Sequence, residues 1–198
     1  MKFINYNNIK VFYIGGFILN LEELRLDCAV KQKRGLHFIL ASVFIWCAVL
    51  IVHLTNLTIL TKNLLTFCCT APLVPFAYFI SKILKIDFQN KENPLTNLGI
   101  LFSVNQILYL LIAMWVYPAV PDKMLMVVAI IFGAHLLPYS WLYKSKIYMV
   151  LSIFISIFTL IVGLHSEPYI MAFIMIFIEI VFSICLLIEN KKLVTSPK

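Results

Sequence analysis

Long apolar runs are the feature that most constrains how this chain folds. Six of them, nearly free of charged residues, follow one another between residues 36 and 188. About 20 apolar residues cross the roughly 30 Å hydrocarbon core of a bilayer as a helix, because lipid forces every backbone polar group to be paired within its own segment. The predicted spans lie near Leu36–Leu54, Asn63–Leu84, Leu95–Tyr117, Met124–Tyr143, Ile147–Leu164 and Tyr169–Ile188.

The composition and the short connections indicate a single membrane domain. Of the 198 residues, 62% are hydrophobic and 13% are charged, whereas soluble domains are about half apolar and a quarter charged. The predicted fold class is all-α, a polytopic membrane protein with six transmembrane helices. The predicted divisions are an N-terminal segment (1–18), a cytoplasmic amphipathic helix (19–35), the six-helix domain (36–189) and a cytoplasmic tail (190–198).

The basic residues indicate which way the chain crosses the membrane. Fourteen of the 16 lie in the N-terminal segment, the second and fourth loops and the tail, and only Lys62 and Lys123 lie on the opposite side. Basic residues accumulate on the cytoplasmic side, so both termini are predicted to be cytoplasmic, in a bacterial cell membrane. The net charge of +7 is therefore an orientation signal, and we expect the lipid bilayer as partner and no nucleic acid.

A short helix is predicted ahead of the first span. In the segment NLEELRLDCAVKQKRG, Asn20 is the predicted N-cap, and Glu23 lies near the positive end of the helix dipole. The segment then changes from acidic to basic, as the dipole favours, and Gly35 marks a break before the first span. This pattern predicts a cytoplasmic helix that leads into the membrane.

Residues 1–18 lack such a pattern and leave two interpretations open. The stretch VFYIGGFIL is too short to span a membrane, and its glycine pair disfavours a helix. Codons for Ile14–Phe17 can contain the purine-rich ribosome-binding sequence of bacteria, so translation beginning at Leu19 is one hypothesis. The other is a mobile or membrane-surface arm. A gene without that purine run would contradict the first.

A carboxyl group in the middle of the last span is the strongest candidate for a functional residue. Glu179 lies in MIFIEIVFSI, and an ionisable group at that depth costs at least a few kcal/mol unless it faces the bundle interior or a watery path. We expect it to be neutral at pH 7. With His135 in the fourth span and the amides Asn105 and Gln106 in the third, it forms a predicted midplane polar site. The alternative for each residue is an interhelical hydrogen bond that serves packing alone.

Three prolines predict interrupted helices near the same depth. Pro72 and Pro75 lie in the second span and Pro138 lies in the fourth, and each removes a backbone donor and kinks its helix. The segments APLVPFAY (71–78) and AHLLPYSW (134–141) share one pattern. Broken helices and internal repeats both occur in transporters, although a chance match in so apolar a sequence is the alternative for the repeat.

Other patterns predict packing rather than chemistry. Ser152, Ser156, Thr159 and Gly163 follow one face of the fifth span, and small residues at that spacing let another helix approach closely. The five cysteines show no C-x-x-C pair, so we interpret them as small apolar fillers. Neither metal-ligand spacing nor a nucleotide-binding or hydrolase motif is present, and we expect no metal and no cofactor.

The segment EELRLDCAVKQKRGLHFILASVFIW, Glu22 to Trp46, resembles the start of an uncharacterised family of small multi-span bacterial membrane proteins. That family opens with a similar acidic-then-basic segment, a glycine and an apolar span that ends in tryptophan. The resemblance implies a bacterial integral membrane protein of unassigned activity. It carries over no catalytic residues.

Three functions are compatible with these patterns. The first is a small-molecule or ion transporter, or a subunit of one, with its midplane site at Glu179, His135 and Gln106 and with a second copy enclosing the path. The second is a non-catalytic partner or sensor of another membrane protein. The third is a lipid-modifying membrane enzyme with Glu179 and His135 as acid and base, which their midplane depth disfavours.

Overall fold

The computed structural model describes the backbone of residues 2–6, 9–14 and 17–195 and the side chains of residues 20–192. From Leu21 onward it is helical. Helix α1, Leu21–Lys31, begins after Asn20, whose side-chain oxygen accepts a hydrogen bond from the Glu22 amide at 3.0 Å. This bond satisfies one of the free N–H groups of the first turn.

In the described part of the chain, six helical segments are long and apolar enough to cross a membrane, which confirms the predicted all-α membrane fold. Four of the spans carry one long helix each. These are α2 (Leu36–His53), α5 (Leu95–Ala119), α8 (Lys146–His165) and α9 (Pro168–Thr195). The second span consists of α3 (Ile59–Thr70) and α4 (Leu73–Ile83), and the fourth of α6 (Met124–His135) and α7 (Leu137–Leu142).

The two divided spans break next to their prolines. The second is interrupted at residues 71–72 and the fourth at Leu136. Proline lacks the amide hydrogen that would bond the carbonyl four residues earlier, and its ring crowds that carbonyl. Pro118, by contrast, lies in the last turn of α5, where the helix is about to end.

Two tightly packed helix pairs form the centre of the bundle. The central helix α2 packs against α9 on one side and α4 on another, while α6 packs against α8 and α5. Glycine allows the α6–α8 approach, because a Cβ at Gly133 would lie 2.8 Å from Ile155 Cγ2 and one at Gly163 would collide with Met126. The predicted stripe of α8 lies at this contact: Ser152, Thr159 and Gly163 are buried and Ser156 is half-buried.

Lys62 and Lys123, at the end of the bundle opposite α1, both have structural partners. Lys62 Nζ donates to the carbonyl of His53 at 3.1 Å, and Lys123 Nζ donates to the carbonyls of Gly163 and Leu164, both at 2.9 Å. The last carbonyls of a helix have no intrahelical donor and carry partial negative charge. Each lysine therefore caps the end of a membrane helix.

Ahead of α1 the backbone forms a three-stranded antiparallel sheet. The strands are β1 (Lys2–Tyr6), β2 (Ile9–Ile14) and β3 (Phe17–Asn20), paired in the order β1-β2-β3. The sequence did not indicate these strands. The alternatives for residues 1–18, an untranslated leader or an arm, fall partly on residues outside the description and stay predictions.

Candidate functional site

A cavity of about 560 Å³ lies within the membrane-spanning bundle, between α2, the broken second span, α5 and the broken fourth span. Val104 and Ile107 of α5 line it, yet their side chains are 49% and 62% exposed. Among the described helices, α4 and α5 hardly approach each other, whereas each packs closely against another helix. The cavity is therefore open towards the hydrocarbon layer between α4 and α5.

Most of the lining is aliphatic or aromatic, and its polar side chains come from several helices. Ser42, Ser103, Gln106 and His135 all line it. Tyr139 also lines the cavity. Its hydroxyl lies 2.6 Å from Ser103 Oγ and donates to the Gly99 carbonyl at 2.9 Å. The Nδ1 atom of His135 is buried without a hydrogen-bond partner.

Both helix breaks lie against this cavity. Thr70 and Ala71 line it at the end of α3, and His135 and Leu136 line it where α6 gives way to α7. Ala71, His135 and Leu136 belong to the two similar segments that the sequence singled out, and Thr70 directly precedes the first of them. The interrupted backbone of two spans thus faces one common space.

Glu179 lies behind the cavity wall, at the contact between α9 and α2. Its side chain is 0% exposed. Its Oε2 is 2.6 Å from Ser42 Oγ, and Ser42 Oγ is also 2.7 Å from the Ile39 carbonyl. The other carboxyl oxygen, Oε1, has no hydrogen-bond partner, and neither has the hydroxyl of Ser183, one turn further along α9. Ser42 is therefore the link between the buried carboxyl and the cavity.

The predicted midplane site needs two corrections. Asn105 does not line the cavity; it is exposed on the other side of α5, where its amide donates to the Tyr109 hydroxyl at 2.8 Å, because adjacent helical residues point about 100° apart. Glu179 is hydrogen-bonded to Ser42 and not to His135. Only Gln106 and His135 of the predicted set line the cavity directly.

Sequence reasoning did not assign Ser42 or Trp46 to the site. The two residues are one turn apart on α2 and both line the cavity. One signal in the sequence could have pointed to Ser42. It is a serine near the middle of the first span, at about the depth that Glu179 has in the last span. Depth alone cannot show which of six helices pack together, so the pair was not foreseen.

The charged residues near the membrane surface form a separate network outside the cavity. Asp27 Oδ2 accepts hydrogen bonds from Asn90 at 2.9 Å and Asn93 at 2.8 Å, and its other oxygen is 3.0 Å from Lys31 Nζ. Partial burial raises the pKa of Asp27, but these hydrogen bonds and the Lys31 charge outweigh it, so the pKa lies below its ordinary value. This network ties α1 to the loop before α5.

Charge and metal ligands are scarce at the cavity. Of the residues with described side chains, no lysine, arginine, aspartate or glutamate lines it. Across the same part of the chain, no group of three histidine, cysteine or acidic residues is arranged to hold a metal ion.

Comparison with known proteins identifies a family without assigning an activity. A family model described as "Family of unknown function (DUF7010)" matches residues 21–189. No curated protein and no solved structure matches the chain.

Proposed function

The chain belongs to the family of unknown function DUF7010, and from the geometry of the cavity we propose that it is a membrane transporter for a lipid-soluble small molecule. The molecule enters from the hydrocarbon layer between α4 and α5 and places its polar group near Gln106, His135 and Tyr139. The observation that carries this proposal is an apolar cavity, with a few convergent polar groups, that is open to the lipid.

The dimensions and the lining agree with this proposal. Small-molecule sites are mostly apolar cavities of roughly 300–1,000 Å³ with a small number of polar groups, and this one measures about 560 Å³. An inorganic ion fits poorly, because no described charged side chain faces the cavity to replace its hydration shell. A small organic molecule is therefore favoured over an inorganic ion.

The broken helices favour transport over simple binding. Transporters often build their site near the bilayer midplane from interrupted helices, which bend or rock to change access. Here two interrupted spans meet at the cavity. The enzyme alternative gains no such support, because Glu179 bonds Ser42 rather than His135 and the two do not form an acid–base pair.

Fluorescence of Trp46 tests whether lipid-soluble molecules enter the cavity. Trp46 is buried and lines it, whereas Trp115 and Trp141 are exposed, so replacing the latter two with phenylalanine leaves one reporter. We expect 12-bromododecanol, a neutral heavy-atom quencher, to quench Trp46 saturably in detergent micelles. Val104→Phe, at the open side, should weaken the apparent affinity at least several-fold.

Leu108→Phe is the matched control, since Leu108 is on the same helix, is exposed, and does not line the cavity. It should leave the quenching curve unchanged. Quenching that never saturates, or that both variants alter equally, would mean that the bromoalcohol reaches Trp46 through the micelle and not through the cavity, and the proposal would be wrong.

A further inference from the structure

The contacts of Ser42 suit a protonated Glu179. A serine hydroxyl has one hydrogen, yet Ser42 Oγ lies 2.7 Å from the Ile39 carbonyl and 2.6 Å from Glu179 Oε2. A carbonyl cannot donate. If the Glu179 carboxyl carries a proton, it can donate to Ser42 while Ser42 donates to Ile39, and both short contacts are then full hydrogen bonds. If Glu179 is ionised, the two acceptors must share the one serine hydrogen.

No cation holds the carboxyl in its charged form. In the described part of the chain, Glu179 forms no ion pair. From α2, the ring of His37 lies against Phe38 and Phe88 with both nitrogens unpartnered, and from α8, the Tyr148 hydroxyl donates to the Arg34 carbonyl. Arg34 itself is paired with Glu189.

The remaining titratable groups on the helices packed against α9 also leave Glu179 without a partner. They are Cys47 and His53 on α2, His135 on α6, and Lys146 and His165 on α8. His53 contacts the Thr66 hydroxyl, and Lys146 and His165 occupy the two ends of α8. An ionised Glu179 would thus be an uncompensated charge in a water-poor interior, which is strongly unfavourable.

The lining of the cavity suits a bound cation better than a bound anion. Its lining has aromatic faces from Trp46, Phe132 and Tyr139, and such faces attract cations. No described lysine or arginine lines it to attract an anion. Among the described residues, Glu179 is the acid hydrogen-bonded to a side chain of the lining, that of Ser42, and could balance a bound cation.

We propose that this cavity takes a lipophilic organic cation in exchange for the proton of Glu179. The neutral carboxyl loses its proton through the Ser42 hydroxyl to water in the cavity, and the bound cation then neutralises the carboxylate. One proton leaves for each cation bound, so the total charge within the bundle is unchanged. The inference rests on the proposed transport function and names its substrate class.

Binding of methyltriphenylphosphonium to the purified protein in a weakly buffered detergent solution tests the exchange. We expect about one proton released per cation bound, and a Kd that falls about tenfold for each unit of rising pH while Glu179 is protonated in the free protein. Neutral triphenylphosphine oxide, of nearly the same shape, should bind without releasing protons. Release in the wild type is informative even if a variant fails to fold.

Variants of Glu179 test whether the proton released on phosphonium binding comes from its carboxyl group. Glu179→Gln should abolish proton release and the pH dependence, and should weaken phosphonium binding more than tenfold, while Glu179→Asp should retain release with a displaced pH profile. Ser183→Ala is the matched control: Ser183 is buried one turn away on α9 and does not line the cavity. It should behave as the wild type.

The outcomes separate this inference from the proposed function. Phosphonium binding without proton release, or equal release by Glu179→Gln, would overturn the exchange. Binding of the phosphine oxide but not of the phosphonium would overturn the exchange and leave a transporter of neutral molecules. If neither compound binds and bromododecanol does not quench Trp46, both the exchange and the transport function are wrong.

Discussion

Arg34 shows how one residue can hold one end of the bundle together. It is 4% exposed, its Nη1 donates to Asn190 Oδ1 at 3.0 Å, and its Nε lies 3.3 Å from Glu189 Oε2 and 3.2 Å from the Tyr143 carbonyl. Its φ of 52° is left-handed. This costs about 1–2 kcal/mol for a residue with a Cβ, so the contacts of its guanidinium must outweigh local strain.

Replacing Arg34 with alanine should destabilise the protein by roughly 3–5 kcal/mol, because it leaves a partly buried carboxylate without its partner. Thermal unfolding in detergent, followed by circular dichroism, measures the effect. Arg34→Lys should recover only part of it, since an ammonium group cannot reproduce the planar contacts of a guanidinium. Lys146→Ala, at an exposed lysine nearby, should change stability by less than about 0.5 kcal/mol. Equal losses of stability in Arg34→Ala and Lys146→Ala would show that the Arg34 contacts do not hold this end of the bundle together.

At the scale of elements, α1 acts as a brace across one end of the spans. Its Arg25 donates to the Trp141 carbonyl at 2.8 Å and lies over the Trp141 ring, and its Glu22 is 2.6 Å from Lys144 Nζ. Asp27 binds the loop before α5 through Asn90 and Asn93. The Lys144 hydrogen bond is the main cause that lowers the pKa of Glu22. The helix thus ties the second loop and the fourth span together.

The brace should weaken in acid. The folded pKa of Asp27 is depressed, so its contribution to stability is fully present above the unfolded pKa of about 3.9 and is lost as pH falls through the folded value. We expect Asp27→Asn to be less stable than the wild type at pH 7 and to lose less stability on acidification below about pH 4. The unfolding midpoint in a non-ionic detergent, measured from pH 7 to pH 2, tests this.

Asp122→Asn is the control for that experiment, because Asp122 is an exposed acid at the opposite end of the bundle. It should keep the pH profile of the wild type. If Asp27→Asn also follows the wild-type profile below pH 4, the Asn90 and Asn93 hydrogen bonds do not depend on the charge of Asp27.

At the scale of the whole molecule, an even number of spans brings α1 and the end of α9 to the same end of the bundle. The brace α1, the loop of residues 84–94, the turn at residues 143–145 and the end of α9 share one end of the bundle, joined by contacts such as Lys31–Glu92 and Arg34–Glu189. Most of the basic residues lie at this end. The positive-inside rule therefore predicts that this end faces the cytoplasm.

Cysteine labelling tests this orientation. Asn56 and Gln89 are exposed residues in loops at opposite ends of the bundle. In intact bacteria expressing the protein, a membrane-impermeant maleimide should label Asn56→Cys strongly and Gln89→Cys only after the cells are opened. The wild type, with its own five cysteines, provides the blank. The reverse pattern would show that the chain crosses in the opposite direction.

The sequence by itself determined the properties that depend on local pattern and length. The six spans, the Asn20 cap, the interruptions beside Pro72 and Pro138 and the excess of basic residues at one end all follow from runs of neighbouring residues. The depth of Glu179 in the membrane followed from its position within a run. None of these required knowledge of which helices touch.

Only the tertiary structure decided which residues meet. The partner of Glu179 is Ser42, 137 residues away in the chain, and the cavity brings Gln106 and His135 together while it leaves Asn105 outside. In lipid, apolar residues surround each helix on all sides, so hydrophobic periodicity does not show which face turns inward. That rotation is set by close packing at small residues such as Gly133 and Gly163, which depends on the shapes of both partners.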